Sequence, residues 1–232
     1  MTVTEPTAGR ADEAAPGARL LELVQVMDAL RARCPWDARQ THESLMPYLL
    51  EETYEAVDAL AAGDQAAVRE ELGDVLLQVV FHARVAQERT DGTGYTIDDI
   101  AEAITDKLKR RHPHVFGDVS VSGPDEVKRN WDAIKAAERA AAGGAESGSV
   151  LAGVPLGQPA LSLATQLLRR AERAGAPAEL AAEPAEVSEF GRELFALANR
   201  ARAAGVDPEL ELRAAALAYA DRVRSWAAGE AG

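Results

Sequence analysis

The chain has 232 residues, a net charge of −13 and a pI near 4.8, which argue against duplex nucleic acid or an anionic membrane as its main partner. Hydrophobic residues make up 47% of the sequence and aromatic residues only 5%, so packing is expected to depend on Leu, Val and Ala. The single cysteine, Cys34, excludes an intrachain disulfide, and without a signal peptide or a long apolar run a soluble, cytoplasmic protein is expected.

Composition divides the chain into four predicted segments. Residues 1–17 are rich in Ala, Glu, Thr and Pro and are expected to form a disordered tail. A helical domain is predicted over residues 18–142, a linker over 143–158 and a smaller helical unit over 159–228. The predicted fold class is therefore all-α, a helical bundle followed by a second helical unit.

The first predicted helix runs from about Ala18 to Arg33. Its apolar face contains Leu20, Leu23, Val24, Met27 and Leu30. Pro35 ends this helix, because the residue before a proline is pushed away from helical geometry. For Trp36, which follows, the residues alone favour a role as a core anchor, and Cys34 is interpreted as structural.

A helical hairpin from about Leu45 to Arg89 is the central predicted feature. Gly63 and Asp64 form its turn, since Gly suits a helix end and Asp suits the next N-cap. Pro47 is expected to bend or restart the first arm. The arms carry two acidic clusters, Glu51, Glu52 and Glu55 on the first and Glu70, Glu71 and Asp74 on the second.

Four carboxylates of the hairpin are expected to meet. Counting from the turn places Glu55 level with Glu71, and Glu52 level with Asp74, if the arms pack antiparallel. Their helical spacing puts all four on or beside the apolar stripes, where unpaired carboxylates repel and are costly to bury. A cation removes that cost, and an all-oxygen ligand set favours Mg²⁺, with Mn²⁺ as a substitute. The alternative interpretation of such Glu-rich helices is a solvated surface.

Two further helices are predicted downstream. Thr96 is expected to cap a helix that ends near Arg111, and Pro124 opens another that ends near Ala142, with a loop over 115–123 between them. The apolar face of the first is expected to contain Ile97, Ile100, Ile104 and Leu108. Its basic end either complements the helix dipole or clamps a triphosphate.

Ordered motifs along this half resemble the MazG family of nucleoside triphosphate pyrophosphohydrolases. The resemblance rests on Glu51-Glu52-x-x-Glu55 followed by Glu71-x-x-Asp74, with Cys34-Pro35-Trp36-Asp37 before them and the stretch from Arg110 to Phe116 after them. It covers about residues 19–140 and implies a bundle of the all-α NTP pyrophosphatase type. It also places the loop around Trp36 near the nucleotide.

The resemblance implies Mg²⁺-dependent hydrolysis of NTPs or dNTPs to nucleoside monophosphate and pyrophosphate, clearing non-standard or surplus nucleotides, by a homodimer. The implied catalytic residues are Glu51, Glu52, Glu55, Glu71 and Asp74, of which all but Glu51 hold the metal. Glu51 either acts on the attacking water or faces solvent. The implied substrate-binding residues are Lys107, Arg111 and Lys135 for phosphate and Trp131 for the base or ribose. No partner among membranes or nucleic acids is expected.

Other functions fit the same residues. A non-catalytic nucleotide-binding or scaffold module is one alternative, and a related dUTPase or phosphoribosyl-ATP pyrophosphohydrolase is another. For Trp131 and Lys135, a core Trp beside a solvent-reaching Lys is the plain alternative. Base preference is not readable from the sequence.

The second unit resembles a degenerate copy of the first. Its helices are predicted at about Pro159–Gly175, Pro184–Gly205 and Pro208–Ala228. Glu189-Phe190-Gly191-Arg192 echoes Glu71-Leu72-Gly73-Asp74, and long members of the resembled family carry two units in tandem. Because a guanidinium cannot ligate Mg²⁺, Arg192 indicates that this unit is non-catalytic.

Overall fold

A computed structural model describes Ala15 and residues 17–141, 149–181 and 187–229. The predicted tail up to residue 14 and the linker over 143–148 lie outside these residues. Within the described ranges the regular structure is helical, without strands, and this confirms the predicted all-α class. None of the described helices is both long and apolar enough to cross a bilayer.

Two compact units divide the chain, Met1–Lys128 and Arg129–Gly232. The first contains α1 (Ala18–Arg33), a 3₁₀ turn (Asp37–Arg39), α2 (His42–Ala62), α3 (Gln65–Ala86), α4 (Ile97–Arg111) and the one-turn α5 (Pro113–Phe116). Helix α6 (Pro124–Ala141) contains the boundary. The second unit contains α7 (Ala160–Arg173), a 3₁₀ turn (Ala178–Ala181), α8 (Glu189–Ala203) and α9 (Pro208–Ala227).

The turn of the α2–α3 hairpin forms as predicted. Gly63 ends α2 in the left-handed conformation at φ 73°, which glycine adopts without steric cost. The Asp64 side chain then accepts hydrogen bonds from the backbone N–H groups of Ala66 and Ala67, capping α3. The two arms pack directly against each other.

The prediction that Pro47 restarts the first arm is wrong, because α2 begins at His42 and continues through the proline. Thr41 and Ser44 form a reciprocal capping box that fixes this earlier start. Pro47 falls close to the first turn, where its missing N–H removes only one backbone hydrogen bond.

The core of the first unit lies where α1 and α2 meet α3. Met27, Leu45, Val80 and Phe81 are its buried residues. On α2, Ala56 and Ala59 are also buried, and their small side chains allow the arms to approach closely. The outer turns of α1 are less covered than its predicted apolar face implies, since Leu20 and Leu30 remain exposed.

Arg31 fastens the loop between α1 and α2. Its side chain is 8% exposed, pairs with Glu88 at 2.7 Å and donates to the backbone carbonyls of Asp37 and Gln40. Gln40 in turn donates from Nε2 to the carbonyl of Trp36 at 3.0 Å. Partly buried polar contacts therefore help to hold the loop.

Trp36 is not the core anchor that the residues alone suggested. Its side chain is 50% exposed, although its ring meets Phe81 edge-on at 6.4 Å and Tyr48 at 5.9 Å. The anchoring of the loop by Arg31 holds this ring at the edge of the core, which local sequence does not encode.

The second unit packs α7 against α8 and α9. Helix α8 begins at Glu189, with Ser188 as its N-cap, whereas the sequence predicted a start at Pro184. Residues 182–186 lie outside the described structure, but Val187 and Ser188 are non-helical. A serine hydroxyl that accepts from the Gly191 N–H fixes this start more strongly than the earlier proline.

An ion pair in each unit supports the echo between them. Arg84 on α3 pairs with Asp28 on α1 at 2.7 Å, and Arg202, which follows Arg192 by ten positions as Arg84 follows Asp74, pairs with Glu172 on α7 at 2.6 Å. In each unit the arginine therefore connects its own helix to the first helix that lies wholly within the unit.

Candidate active site

Three carboxylates from the two arms of the hairpin converge. Glu52 and Glu55 on α2 and Glu71 on α3 each place an oxygen within 4.8 Å of the other two. Helical spacing brings the first pair to one face of α2, and the packing of the arms adds the third. Glu52 and Glu71 are half-buried, while Glu55 is exposed.

Burial and mutual repulsion act on this cluster. The pKa of Glu52 is raised first by burial and then by the charge of Asp74, with smaller contributions from neighbouring carboxylates. The pKa of Glu71 is raised first by burial and then by the charge of Glu55. The largest charge effect on Glu52 thus comes from Asp74, and that on Glu71 comes from Glu55. These are the pairs that lie at equal distances from the turn in the sequence.

A divalent cation fits these residues chemically. The donors are carboxylate oxygens, the set that Mg²⁺ and Mn²⁺ prefer. Burial and then the charges of neighbouring carboxylates disfavour the ionised forms of Glu52 and Glu71, which raises their pKa values. A bound cation would remove this repulsion.

Asp74 and Glu51 stand beside the converging group. Asp74 is half-buried on α3 and lies outside the three carboxylates that are mutually within 4.8 Å, but its charge acts on both Glu52 and Glu71. Glu51 is exposed on α2, and its charge acts on Glu52. The structure therefore gathers three of the four predicted metal ligands and keeps the fourth within electrostatic reach.

The predicted phosphate ligands of the first unit lie on α4. Thr96 caps this helix in a reciprocal box with Asp99, as predicted. Lys107 is exposed and Arg111 half-buried near its C-terminal end, and α4 packs against α3. The predicted apolar face of α4 is only partly covered, since Ile104 and Leu108 are 47% and 46% exposed.

The two remaining predicted substrate residues contact each other on α6. The Lys135 ammonium lies over the Trp131 ring at 3.6 Å from its centroid, a cation–π contact between residues one turn apart. This contact orients both side chains within their own helix. The loop predicted to follow α4 is shortened by α5, in which Pro113 begins one helical turn that includes Phe116.

A histidine pair joins the two arms of the hairpin and was not predicted from the sequence. His42, the first residue of α2, and His82 on α3 face each other with their Nδ1 atoms 2.8 Å apart. His82 continues the helical spacing of Glu71, Val75 and Val79 along the second arm, but its partner is 40 positions away. Only the hairpin packing brings them together.

Comparison with known proteins identifies a family domain in the first unit. The family described as MazG nucleotide pyrophosphohydrolase domain matches residues 40–116. This region contains the complete α2–α3 hairpin and all five acidic residues predicted as catalytic.

Relatives match over most of the chain. An uncharacterised 26.1 kDa protein of Streptomyces cacaoi is 51% identical over 90% of this chain and 83% of its own length. A Thermotoga maritima protein named nucleoside triphosphate pyrophosphohydrolase/pyrophosphatase MazG is 40% identical over 88% of this chain and 83% of its own. A Mycolicibacterium smegmatis protein named nucleoside triphosphate pyrophosphohydrolase is 45% identical over 92% of this chain, which spans 61% of that relative.

Proposed function

The chain belongs to the MazG family, and we propose that it hydrolyses nucleoside triphosphates to nucleoside monophosphates and pyrophosphate. The convergence of Glu52, Glu55 and Glu71 within 4.8 Å, inside the matched region, is the observation that carries this proposal. A scaffold protein would have no need for carboxylates whose burial and mutual charge raise the pKa of two of them.

Glu52, Glu55, Glu71 and Asp74 would hold Mg²⁺, with Mn²⁺ as a possible substitute. When bound, the cation supplies positive charge for the phosphates and makes the attacking water more acidic. The carboxylates fix the position of that charge on two packed helices, so little reorganisation is needed when substrate arrives. Glu51, exposed one residue before Glu52, would either orient or deprotonate the water or face solvent.

The resemblance assigns the substrate to basic and aromatic residues. Lys107, Arg111 and Lys135 would bind phosphate oxygens, and Trp131 would wall the base or ribose. Loss of the pyrophosphate leaving group is easier when its negative charge is matched by cations. The loop that holds Trp36 is placed near the nucleotide on the same basis.

A homodimer acting in the cytoplasm completes the proposal. The partly covered face of α4, with Ile104 and Leu108 about half exposed, is consistent with apolar surface that a second copy would cover. Light scattering on the full chain tests the assembly, and a strictly monomeric species would contradict it.

Product analysis tests the activity. The full chain is incubated with a panel of normal and oxidised NTPs and dNTPs, and the expected products are nucleoside monophosphate and pyrophosphate, lost on addition of EDTA. Glu52→Ala and Asp74→Ala are expected to abolish turnover. Near-normal rates in both variants with Mg²⁺ would refute the site. Hydrolysis of dUTP alone, or of phosphoribosyl-ATP, would assign the chain to a related activity instead.

A further inference from the structure

The histidine pair between α2 and α3 has an unusual geometry. The Nδ1 atoms of His42 and His82 are 2.8 Å apart, and the two rings lie within 4° of parallel with centroids 5.1 Å apart. These values describe two imidazoles joined edge to edge by one hydrogen bond, in which one Nδ1–H donates to the other Nδ1.

The surroundings of His82 disfavour a positive charge on its ring. The Nε2 atom of His82 is buried and has no hydrogen-bond partner among the described residues. An imidazolium carries a proton on both ring nitrogens, so protonated His82 would bury an N–H without an acceptor. The pKa of His82 is lowered, first by this burial and then by the charge of His42.

We propose that the His42–His82 hydrogen bond is a pH-sensitive link that holds the start of α2 on α3 and opens when both rings become protonated. With one added proton, the protonated ring still donates from Nδ1 to its neutral neighbour, so the link persists. A second proton places an N–H on both facing Nδ1 atoms, leaving no acceptor and setting two positive charges against each other.

Charged groups on the adjoining elements act unequally on the two rings. They include Asp28 and Arg31 on α1, Asp37 and Arg39 in the 3₁₀ turn, Glu43 on α2, Arg84 and Glu88 on α3, Arg89 after it, and Asp98 and Asp99 on α4. Arg31 and Arg84 pair with Glu88, and Arg84 also pairs with Asp28. The pKa of Glu43 responds to His42, whereas the charge acting on His82 is that of His42.

The histidine pair joins the same two helices, α2 and α3, that carry the converging carboxylates. His42 and Glu52 belong to one continuous helix, ten positions apart, and α2 packs on α3 along its length. Opening the link in mild acid would therefore loosen the end of the hairpin remote from its turn. This inference concerns the packing of the arms and does not depend on the proposed hydrolytic activity.

A double-mutant cycle on the full chain tests the proposal. His42→Phe, His82→Phe and the double variant are unfolded with urea at about pH 7.5 and about pH 5, on either side of the usual histidine titration. Because the acidic cluster is present in all four proteins, its own titration cancels in the cycle. The expected coupling factor in the unfolding equilibrium constant is about threefold or more at the higher pH, falling to about one or below at the lower.

Equal coupling at both pH values, or none at the higher one, would overturn the proposal. His114→Gln serves as the control for a general loss of histidine, since His114 lies on α5, away from the pair in sequence. Should the Phe variants not fold, NMR of the imidazole nitrogens in the unmodified chain gives the answer. Two distinct protonation steps for His42 and His82 are expected, and two independent, ordinary titrations would refute the link.

Discussion

Glu52 and Glu71 bind protons more tightly in the folded chain than carboxylates ordinarily do. Their pKa values are raised above 4.5 by burial and by neighbouring carboxylates. As the pH rises from 4.5 through these raised values, the folded state binds more protons than the unfolded state, so the free energy of unfolding falls. At neutral pH the cluster therefore destabilises the cation-free protein.

Replacing Glu52 with Gln is expected to raise the melting temperature of the cation-free protein, because one of the facing charges is removed. The same variant should lose most of the stabilisation that Mg²⁺ gives the unmodified chain, and about 100-fold or more of its turnover. Calorimetry with and without Mg²⁺ measures the first two effects. Glu102→Gln, an exposed change on α4 outside the converging group, is the matched control. A lower melting temperature for cation-free Glu52→Gln would contradict the prediction.

Cation binding is expected to depend on pH and to release protons. A carboxylate must be deprotonated to ligate, so affinity for Mn²⁺ should weaken as the pH falls from about 7 to about 5, toward the raised pKa values. Titration calorimetry in two buffers of different ionisation enthalpy gives the number of protons released. Proton release should be smaller in Glu71→Gln. Equal binding heats in both buffers for the unmodified chain would mean that no protons are released and would contradict the prediction.

At the scale of the helices, the sequence predicted those helix ends and caps that depend on neighbouring residues. The bounds of α1, the Gly63–Asp64 turn and the Thr96 cap were predicted because each depends on residues within one or two turns. The family indicated by the acidic motifs is the family that the comparisons identify. The convergence of the three carboxylates could be predicted because the hairpin has a short turn. Counting residues from that turn gives the height of each carboxylate along the two packed helices.

Features that depend on distant partners could not be predicted in this way. Trp36 was expected inside, but buried polar contacts from Arg31 hold its loop at the edge of the core. The His42–His82 contact joins positions 40 residues apart. The start of α8 was predicted too early because proline and serine both suit a helix start, and sequence alone did not rank them.

Arg31→Gln is expected to destabilise the fold by about 2 kcal/mol, since it removes hydrogen bonds to a carboxylate and to two carbonyls from a largely buried side chain. Urea unfolding measures the loss, and Trp36 fluorescence should report greater mobility of the loop. Arg33→Gln, an exposed change in the last turn of the same helix, is the control. Equal stability of the two variants would mean that the loop does not depend on Arg31.

At the scale of the whole molecule, the described residues of the second unit retain helical architecture without the acidic cluster. Among the described residues, the group of acidic side chains close enough to hold a metal lies in the first unit. In the second, Arg192 stands where Asp74 stands in the first and donates to the carbonyl of Val187. We therefore expect a structural role for residues 159–228, the part of this unit that follows α6.

Removing all residues after 141 is expected to leave turnover within about tenfold of the full chain, because the acidic cluster, α4 and α6 are all retained. Pyrophosphate release measures turnover, while circular dichroism and light scattering check the fold and the assembly. Complete inactivity in a fragment that is folded and keeps the assembly of the full chain would instead give the second unit a direct part in catalysis.

The two alanines buried along α2 also bear on which ion the protein selects. Ala56 follows Glu55 and lies one turn after Glu52, so the size of its side chain influences how far apart the opposing oxygens stand. Mg²⁺ requires a narrow shell near 2.1 Å, whereas Ca²⁺ accepts about 2.4 Å and more ligands. An Ala56→Val substitution that widens the gap should therefore shift competition binding toward the larger ion, so that two added methyl groups would change the ionic radius that the site prefers.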